Sequence, residues 1–212
     1  MFTSVNYTDR MKKTKNSYHH GDLAESLLAA VDEIATKFGL EAVTLRACAK
    51  LVGVSPSAAF RHYTDKKSLL TAFATRALQQ LAGAMEKARI AATEASTNPF
   101  HAVGLAYVEF ALDKPAFFRA MWREESLYTN DEQYIAAANQ LRAHLESGFA
   151  NTLDDKDPDS LSAEELLAWS AVHGMAKLFV EGTVAKQDSK SQKLARASAM
   201  LSIMDPALFD RR

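Results

Sequence analysis

Residues 44–66 read TLRACAKLVGVSPSAAFRHYTDK and contain two short helical segments separated by a tight turn. Thr44 and Ser55 are residue types that cap helix N-termini, and Pro56 suits the first helical position because its missing N–H would have no partner there. Gly53 can adopt the left-handed conformation that such a turn requires. The spacing predicts a helix-turn-helix, the unit that places its second helix in the major groove of DNA.

The side chains of this segment suit contact with DNA. Small residues open the second helix and would let it sit deep in a groove, and basic residues follow at its end and beyond, where they would meet phosphates. Arg46 lies one turn into the first of these two short helices and could reach a base edge or a phosphate. The small residues are Ser55, Pro56, Ser57, Ala58 and Ala59, and the basic ones are Arg61, His62, Lys66 and Lys67. A surface helix with scattered charges is the alternative for any single residue, but the whole set favours DNA.

Length, charge and cysteine content limit the other possibilities. The 212 residues have a net charge of −1, yet residues 1–76 carry a net +4 and residues 77–212 a net −5. A basic N-terminal part suits phosphates and an acidic remainder suits a body held away from them. The single cysteine, Cys48, excludes an internal disulfide and fits a reducing cytoplasm. No apolar run approaches the ~20 residues that would span a bilayer.

The remaining pattern predicts an all-α fold of about nine helices. Residues 1–17 are polar and basic, and we expect a flexible arm that either reaches DNA or is a plain disordered terminus. Asp22 and Ser162 each precede a helical pattern as capping residues, and Thr64 or Asp65 should cap a long fourth helix. Helices are predicted at about 22–38, 45–52, 56–63, 66 into the nineties, 99–112, 115–124, 131–152, 163–185 and 189–203.

Residues 18–82 resemble the TetR-type (tetracycline-repressor-like) regulators in motifs spread over three helices and their turns. The matching segments are YHHGDL (18–23), the Gly39 turn, TLRACAKLVGVS (44–55), FRHY (60–63) and DKKSLL (65–70). The resemblance implies a helix-turn-helix DNA-binding domain at 18–65 and a helical effector-binding and dimerisation domain at 66–212.

By that resemblance, individual residues of the head acquire roles. Thr44 would cap its helix and touch a phosphate, and Arg46 would contact a base or a phosphate. Ser55, Ser57 and Ala58 would form the reading face, while His62 and Lys66 would meet phosphates. Phe60 is a departure, because the family usually has tyrosine there and its hydroxyl commonly contacts a phosphate. Readout would then depend on Arg46, thymine methyl groups and DNA shape.

The second half is rich in aromatic residues on predicted helices. WSAVHGMAKLFVEG (169–182) resembles the Trp-…-His-Gly signature of one TetR-type C-terminal class, and residues 98–122 resemble it too. Some of these side chains would line an apolar effector pocket, although a purely structural core is the alternative, and we favour a structural role for His173. The pocket candidates are Tyr107, Phe110, Phe118, Trp122, Trp169 and His173.

Small residues on the last two predicted helices imply, by the same resemblance, a four-helix interface between two copies. We therefore expect a cytoplasmic homodimer, most simply a repressor, that binds a palindromic operator in double-stranded DNA and is released by a small apolar or aromatic effector. The alternative is an architectural or protein-interaction module whose DNA binding no ligand controls. The sequence shows no catalytic set and no cofactor motif, and His19-His20 with Asp22 is a poor metal site, so we expect no enzyme, cofactor or metal.

Overall fold

The computed structural model describes residues 23–147 and 161–209. These residues form nine α-helices and no β-strand, which confirms the all-α prediction. The helices are α1 (Leu23–Phe38), α2 (Leu45–Val52), α3 (Pro56–His62), α4 (Lys66–Glu94), α5 (Pro99–Asp113), α6 (Pro115–Met121), α7 (Glu132–Ser147), α8 (Ala163–Val180) and α9 (Lys190–Phe209). The predicted arm at 1–17 and the predicted cap Asp22 lie outside the described residues.

Helices α1 to α3 form the N-terminal head, and their boundaries follow the predicted caps. Thr44 Oγ1 accepts a hydrogen bond from the Ala47 N–H at 3.0 Å, and Ser55 Oγ accepts one from the Ala58 N–H at 3.2 Å. Gly53 has φ +82° and ends α2 in the left-handed conformation. The turn between α2 and α3 is therefore set by local backbone chemistry that the sequence makes visible.

The 29-residue helix α4 joins the head to the larger C-terminal core. Asp65 is its N-cap, in a reciprocal capping box with Ser68. Of the two predicted capping residues, Asp65 and not Thr64 therefore caps α4. Buried side chains continue along α4 from Leu69 to Met85 and contribute to one hydrophobic cluster that reaches from α1 to α9. Because α4 is a continuous helix within this shared core, the head has no separate interior of its own.

The C-terminal core packs α5 against α4, α6, α8 and α9. A Cβ atom at Gly104 of α5 would lie 2.7 Å from a methyl carbon of Leu201 on α9, and Leu201 is fully buried. Glycine at this position is what allows α9 to approach α5 so closely. His101 Nε2 and Ser198 Oγ, 2.9 Å apart, join the same two helices.

Three predicted helix ends are wrong by several residues. Helix α6 ends at Met121, and a 3-10 turn at Glu124–Ser126 follows it. Helix α8 ends at Val180 instead of near 185, because Gly182 adopts φ +68° just beyond it and turns the chain away. Helix α9 continues past the predicted end at 203 and includes Pro206.

Candidate nucleic-acid interface and aromatic cluster

The turn-facing surface of α2 and α3 exposes most of the residues that the sequence assigned to DNA contact. Thr44, Arg46, Ser55, Pro56 and Ser57 are all exposed. Phe60, Arg61 and His62 are exposed as well, and Ala58 is half-buried. The exposed surface of α2 and α3 therefore carries hydroxyl, methyl, guanidinium and imidazole groups, which is the mixture that meets phosphates and base edges.

Ala59 does not belong to this face, contrary to the prediction that it helps α3 enter a groove. Its side chain is fully buried and belongs to the shared hydrophobic cluster. The methyl side chain is explained by packing, because a larger residue at this point would push α3 away from the rest of the head. The groove-facing small residues are then Ser55, Pro56, Ser57 and Ala58.

The two capping hydroxyls keep a capacity for further bonds. Thr44 Oγ1 and Ser55 Oγ each accept from a backbone N–H, and this uses an acceptor lone pair while the hydroxyl proton can still be donated. Ser55 Oγ also lies 2.9 Å from Ser57 Oγ. Thr44 therefore caps α2 with its hydroxyl proton still available, whereas Ser55 and Ser57 share one hydrogen bond. The phosphate contact that the resemblance implies for Thr44 stays a prediction.

The lysines after α3 make contacts that the sequence did not reveal. Lys66 is half-buried, and its ammonium group donates to the Glu41 carbonyl oxygen at 3.1 Å. The Lys67 ammonium lies 5.1 Å from the centre of the Tyr128 ring. Both lysines therefore contact other parts of the chain here, and the phosphate contact predicted for Lys66 stays a prediction.

Five of the six pocket candidates form one aromatic cluster, defined here as Tyr107, Phe118, Trp122, Trp169 and His173. The Trp122 ring lies 4.7 Å from the His173 ring and 5.7 Å from the Trp169 ring, centre to centre. Phe118 lies 5.4 Å from His173, and Tyr107 lies 6.2 Å from Phe118. The cluster joins α5, α6 and α8, which confirms that Trp169 and His173 share a helix face.

The sixth candidate, Phe110, lies elsewhere on α5. It is buried, and the Lys114 ammonium sits 6.0 Å from its ring centre. The same ammonium lies 5.5 Å from Phe117, whose ring stacks on Phe73 at 4.3 Å. Phe110 is therefore placed with the core residues that link α4 to α6.

Polar atoms inside the aromatic cluster converge on the Tyr107 hydroxyl. This oxygen lies 2.9 Å from His173 Nδ1. Burial raises the pKa of the Tyr107 phenol, and the nearby indole groups of Trp169 and Trp122 oppose that rise. Both indole N–H groups are buried, and neither makes a hydrogen bond of normal geometry within the described part of the chain. Buried donors of this kind are rare in proteins and give the cluster a capacity for an acceptor group.

The sequence missed a second group of contacts, which joins the head to the core. Arg123 Nη2 lies 2.5 Å from Glu41 Oε1, and the Tyr128 hydroxyl donates to Asp65 Oδ2 at 2.7 Å. Backbone donation from Ser68, and then this Tyr128 hydroxyl, hold the pKa of Asp65 below its usual range. The pairs are 82 and 63 residues apart in the chain, so no local pattern could have indicated them.

The described residues contain neither a metal-binding cluster nor a membrane-spanning helix. Residues 23–147 and 161–209 contain no group of three or more His, Cys, Asp or Glu side chains arranged to hold a metal ion. None of the helices in these ranges is long and apolar enough to cross a membrane.

Cys48 is fully buried, and burial raises the pKa of its thiol to about 11. The thiol is therefore a packed side chain of α2 with little thiolate to react.

Two family models match successive parts of the chain. Residues 27–73 match the model described as bacterial regulatory proteins, tetR family, and residues 100–201 match the tetracyclin repressor-like C-terminal domain. The first covers the head and the start of α4, and the second covers helices α5 to α8 and much of α9. No curated protein sequence matches the chain.

Solved structures share this fold over nearly their whole length. A protein of unknown function from Rhodococcus sp. RHA1 is 28% identical, with a TM-score of 0.68, and the match covers 87% of this chain and 95% of that one. The TetR family transcriptional regulator PfmR from Thermus thermophilus is 21% identical, with a TM-score of 0.60 over 84% and 96%. The TetR-like transcriptional regulator LfrR from Mycobacterium smegmatis, solved in complex with proflavine, is 17% identical, with a TM-score of 0.60 over 84% and 94%.

Proposed function

Because the chain belongs to the TetR family of bacterial regulatory proteins, we propose that it is a homodimeric, cytoplasmic repressor that binds a palindromic operator and is released by a small molecule. The family model describes bacterial regulatory proteins, and the structural relatives PfmR and LfrR are transcriptional regulators. We divide the chain into a DNA-binding head at 18–65 and an effector-binding and dimerisation core at 66–212.

The observation that carries the proposal is the exposed face of α2 and α3. Arg46 and Arg61 are solvent-exposed cations there, and Thr44 adds a hydroxyl beside the positive N-terminal end of α2. Helix N-termini and arginines are the groups that bind phosphate, and a short helix with small side chains at its start fits a major groove. We assign DNA contact to this face.

An apolar stripe on α8 and α9 supports the dimer. Leu167 and Leu178 are 54% and 42% exposed, and they share one face of α8 with Ala171 and Gly174. A Cβ atom at Gly174 would meet no atom of the described residues within 4 Å, so this part of the α8 face is open. On α9, Ile203 is 76% exposed. A two-fold axis would pair these faces in a four-helix interface.

The two-fold dimer gives the operator its expected form. Two copies of α3 would read two half-sites about 34–36 Å apart, or somewhat further along the duplex. Such an operator is palindromic because the protein that reads it is symmetric.

The aromatic cluster supports an apolar or aromatic effector. It combines ring faces with the two buried indole N–H donors of Trp122 and Trp169, which is the composition of a pocket for a flat molecule with an acceptor group. The relative LfrR was solved with the aromatic ligand proflavine. An effector releases the protein from its operator only if it binds the DNA-free conformation of the protein more tightly than the DNA-bound conformation.

The proposal is tested with dialysed protein and the duplex that lies upstream of its own gene. We expect saturable binding that resists an excess of unrelated duplex of equal length, and release by a small aromatic molecule. Binding without sequence preference, insensitive to any ligand, would instead identify an architectural module. Tryptophan emission, titrated with proflavine in the absence of DNA, tests the effector site, and Trp122→Phe is the control that keeps an aromatic ring but removes the donor.

A further inference from the structure

The segment between α6 and α7 links the aromatic cluster directly to the head. Trp122 follows the last residue of α6, and its ring contacts both His173 and Trp169. The next residue, Arg123, pairs with Glu41 at 2.5 Å. Glu41 lies in the 3-10 turn Leu40–Ala42, which leads into α2. Trp122, which belongs to the cluster, and Arg123, which contacts the head, are thus neighbours in the chain.

A second contact attaches the other end of this segment. The Tyr128 hydroxyl donates to Asp65 Oδ2 at 2.7 Å, and Asp65 is the N-cap of α4 immediately after α3. The Tyr128 N–H also donates to Thr71 Oγ1 at 2.9 Å. The head is therefore held on both sides of its reading helices, before α2 through Glu41 and after α3 through Asp65.

The joint between the segment and the head contains a small cavity. A cavity of about 20 Å³ lies beneath it, between the head turn and α6. Its lining residues are Leu40, Glu41, Lys66, Leu70, Ala120, Arg123, Ser126 and Leu127. This volume has room for about one water molecule, so the contact between the segment and the head is not completely closed.

We propose that Arg123 and Tyr128 are positioning residues that hold the DNA-reading head on the core and transmit changes in the aromatic cluster to it. The inference rests on the proposed function for the roles of head and cluster. Consecutive Cα atoms are about 3.8 Å apart across a rigid peptide, so a shift of the Trp122 backbone that accompanies a change in the cluster also moves Arg123. Coupling of this kind is reciprocal, and a change at Glu41 must therefore alter the surroundings of Trp122.

The first test uses the chain's own fluorophores and no DNA. The protein has two tryptophans, and both belong to the cluster. Glu41→Ala removes the head's side of the contact, and we expect it to shift the emission spectrum although residue 41 contacts neither indole. Glu41→Gln, whose amide oxygen can still accept from Arg123, should give a smaller shift. Glu33→Ala is the matched control, because Glu33 is also a head residue but pairs with Lys37 inside α1. A Glu41→Ala spectrum equal to that of the wild type, or an equal shift in Glu33→Ala, overturns transmission.

The second test measures hydrogen exchange of the full chain. In the double variant Arg123→Ala, Tyr128→Phe we expect the amides of residues 41–43 to exchange about two- to tenfold faster, the size expected from two partly exposed polar contacts. Tyr128→Phe leaves the Asp65 cap intact. Arg119→Ala is the control, since Arg119 lies on α6 just before this segment but pairs with Glu181 in the core. Unchanged exchange in the double variant overturns the positioning role. Neither test involves DNA, so a failure to bind any duplex would overturn the proposed function separately.

Discussion

The Tyr107 hydroxyl and His173 Nδ1 lie 2.9 Å apart and join α5 to α8 inside the aromatic cluster. Because two indole N–H groups lie near the Tyr107 oxygen, the phenol proton is best placed on the line to His173. That arrangement makes His173 Nδ1 the acceptor and leaves its proton on Nε2, which is the neutral tautomer. This arrangement favours an uncharged imidazole.

The first prediction concerns pH. Burial, and then repulsion from Lys177, lower the pKa of His173, whereas the unfolded chain has the ordinary value of about 6.5. Because the pKa of His173 is lower in the folded protein than in the unfolded chain, the neutral imidazole stabilises the folded protein fully above about pH 6.5. This stabilisation is lost as the pH falls through the lower pKa of the folded state. Urea unfolding from about pH 8 to about pH 5 should show the wild type losing its advantage over His173→Gln. A difference that stays constant over this range would contradict the neutral imidazole.

The second prediction concerns Arg46. Its exposed guanidinium is assigned to a base edge or a phosphate, so Arg46→Ala should weaken operator binding by about 1–3 kcal/mol, roughly five- to 150-fold, without unfolding the protein. Anisotropy at several salt concentrations separates the roles, since a lost phosphate contact lowers the salt slope by about one. Lys37→Ala is the matched control, because it removes a head cation from α1. Equal affinity of Arg46→Ala and wild type at matched salt would refute the assignment.

The third prediction concerns Phe60. The side chain is 44% exposed on α3, so a hydroxyl added to the ring can remain in solvent or meet a phosphate. Phe60→Tyr should tighten operator binding by about 0.5–1.5 kcal/mol, roughly two- to tenfold, with an unchanged melting temperature. Phe38→Tyr serves as the control, since Phe38 is 54% exposed but lies at the end of α1. A weaker complex for Phe60→Tyr would show that residue 60 faces something other than phosphate.

The fourth prediction concerns the dimer. Leu178→Glu places a charge in the proposed α8–α9 interface, where burial without a partner is costly. Sedimentation should then find monomers at concentrations where the wild type is dimeric, with the helical content of the chain retained. Ile135→Glu offers a control, because Ile135 is equally exposed but on α7. If Leu178→Glu sediments like the wild type, the interface lies on another surface.

Local chemistry explains why the head was predictable from sequence. Thr44, Gly53, Ser55 and Pro56 each act through their own backbone or a neighbour within three residues, and the boundaries of α2 and α3 follow from them. Ala59 was misassigned because an alanine suits a groove and a core equally well. Only the packing of the head distinguishes the two.

The core was less predictable because its decisive contacts are long-range. Helix α6 ends before Arg123, which contacts the distant Glu41, and a helical pattern through residue 124 carries no trace of that pair. The aromatic cluster was anticipated by the spacing of Trp169 and His173, but the exclusion of Phe110 depends on how α5 rotates against its neighbours. Nothing local to Lys66 indicated its hydrogen bond to the Glu41 carbonyl.

Selection of the purified protein on random duplex DNA at one fixed, near-physiological salt concentration tests the central claim most directly. We predict enrichment of a palindrome whose half-sites are separated by about one helical turn or somewhat more, because a two-fold dimer presents two copies of α3. Salt-sensitive binding that enriches no sequence would contradict a sequence-specific regulator, since phosphate contacts alone do not discriminate between sequences.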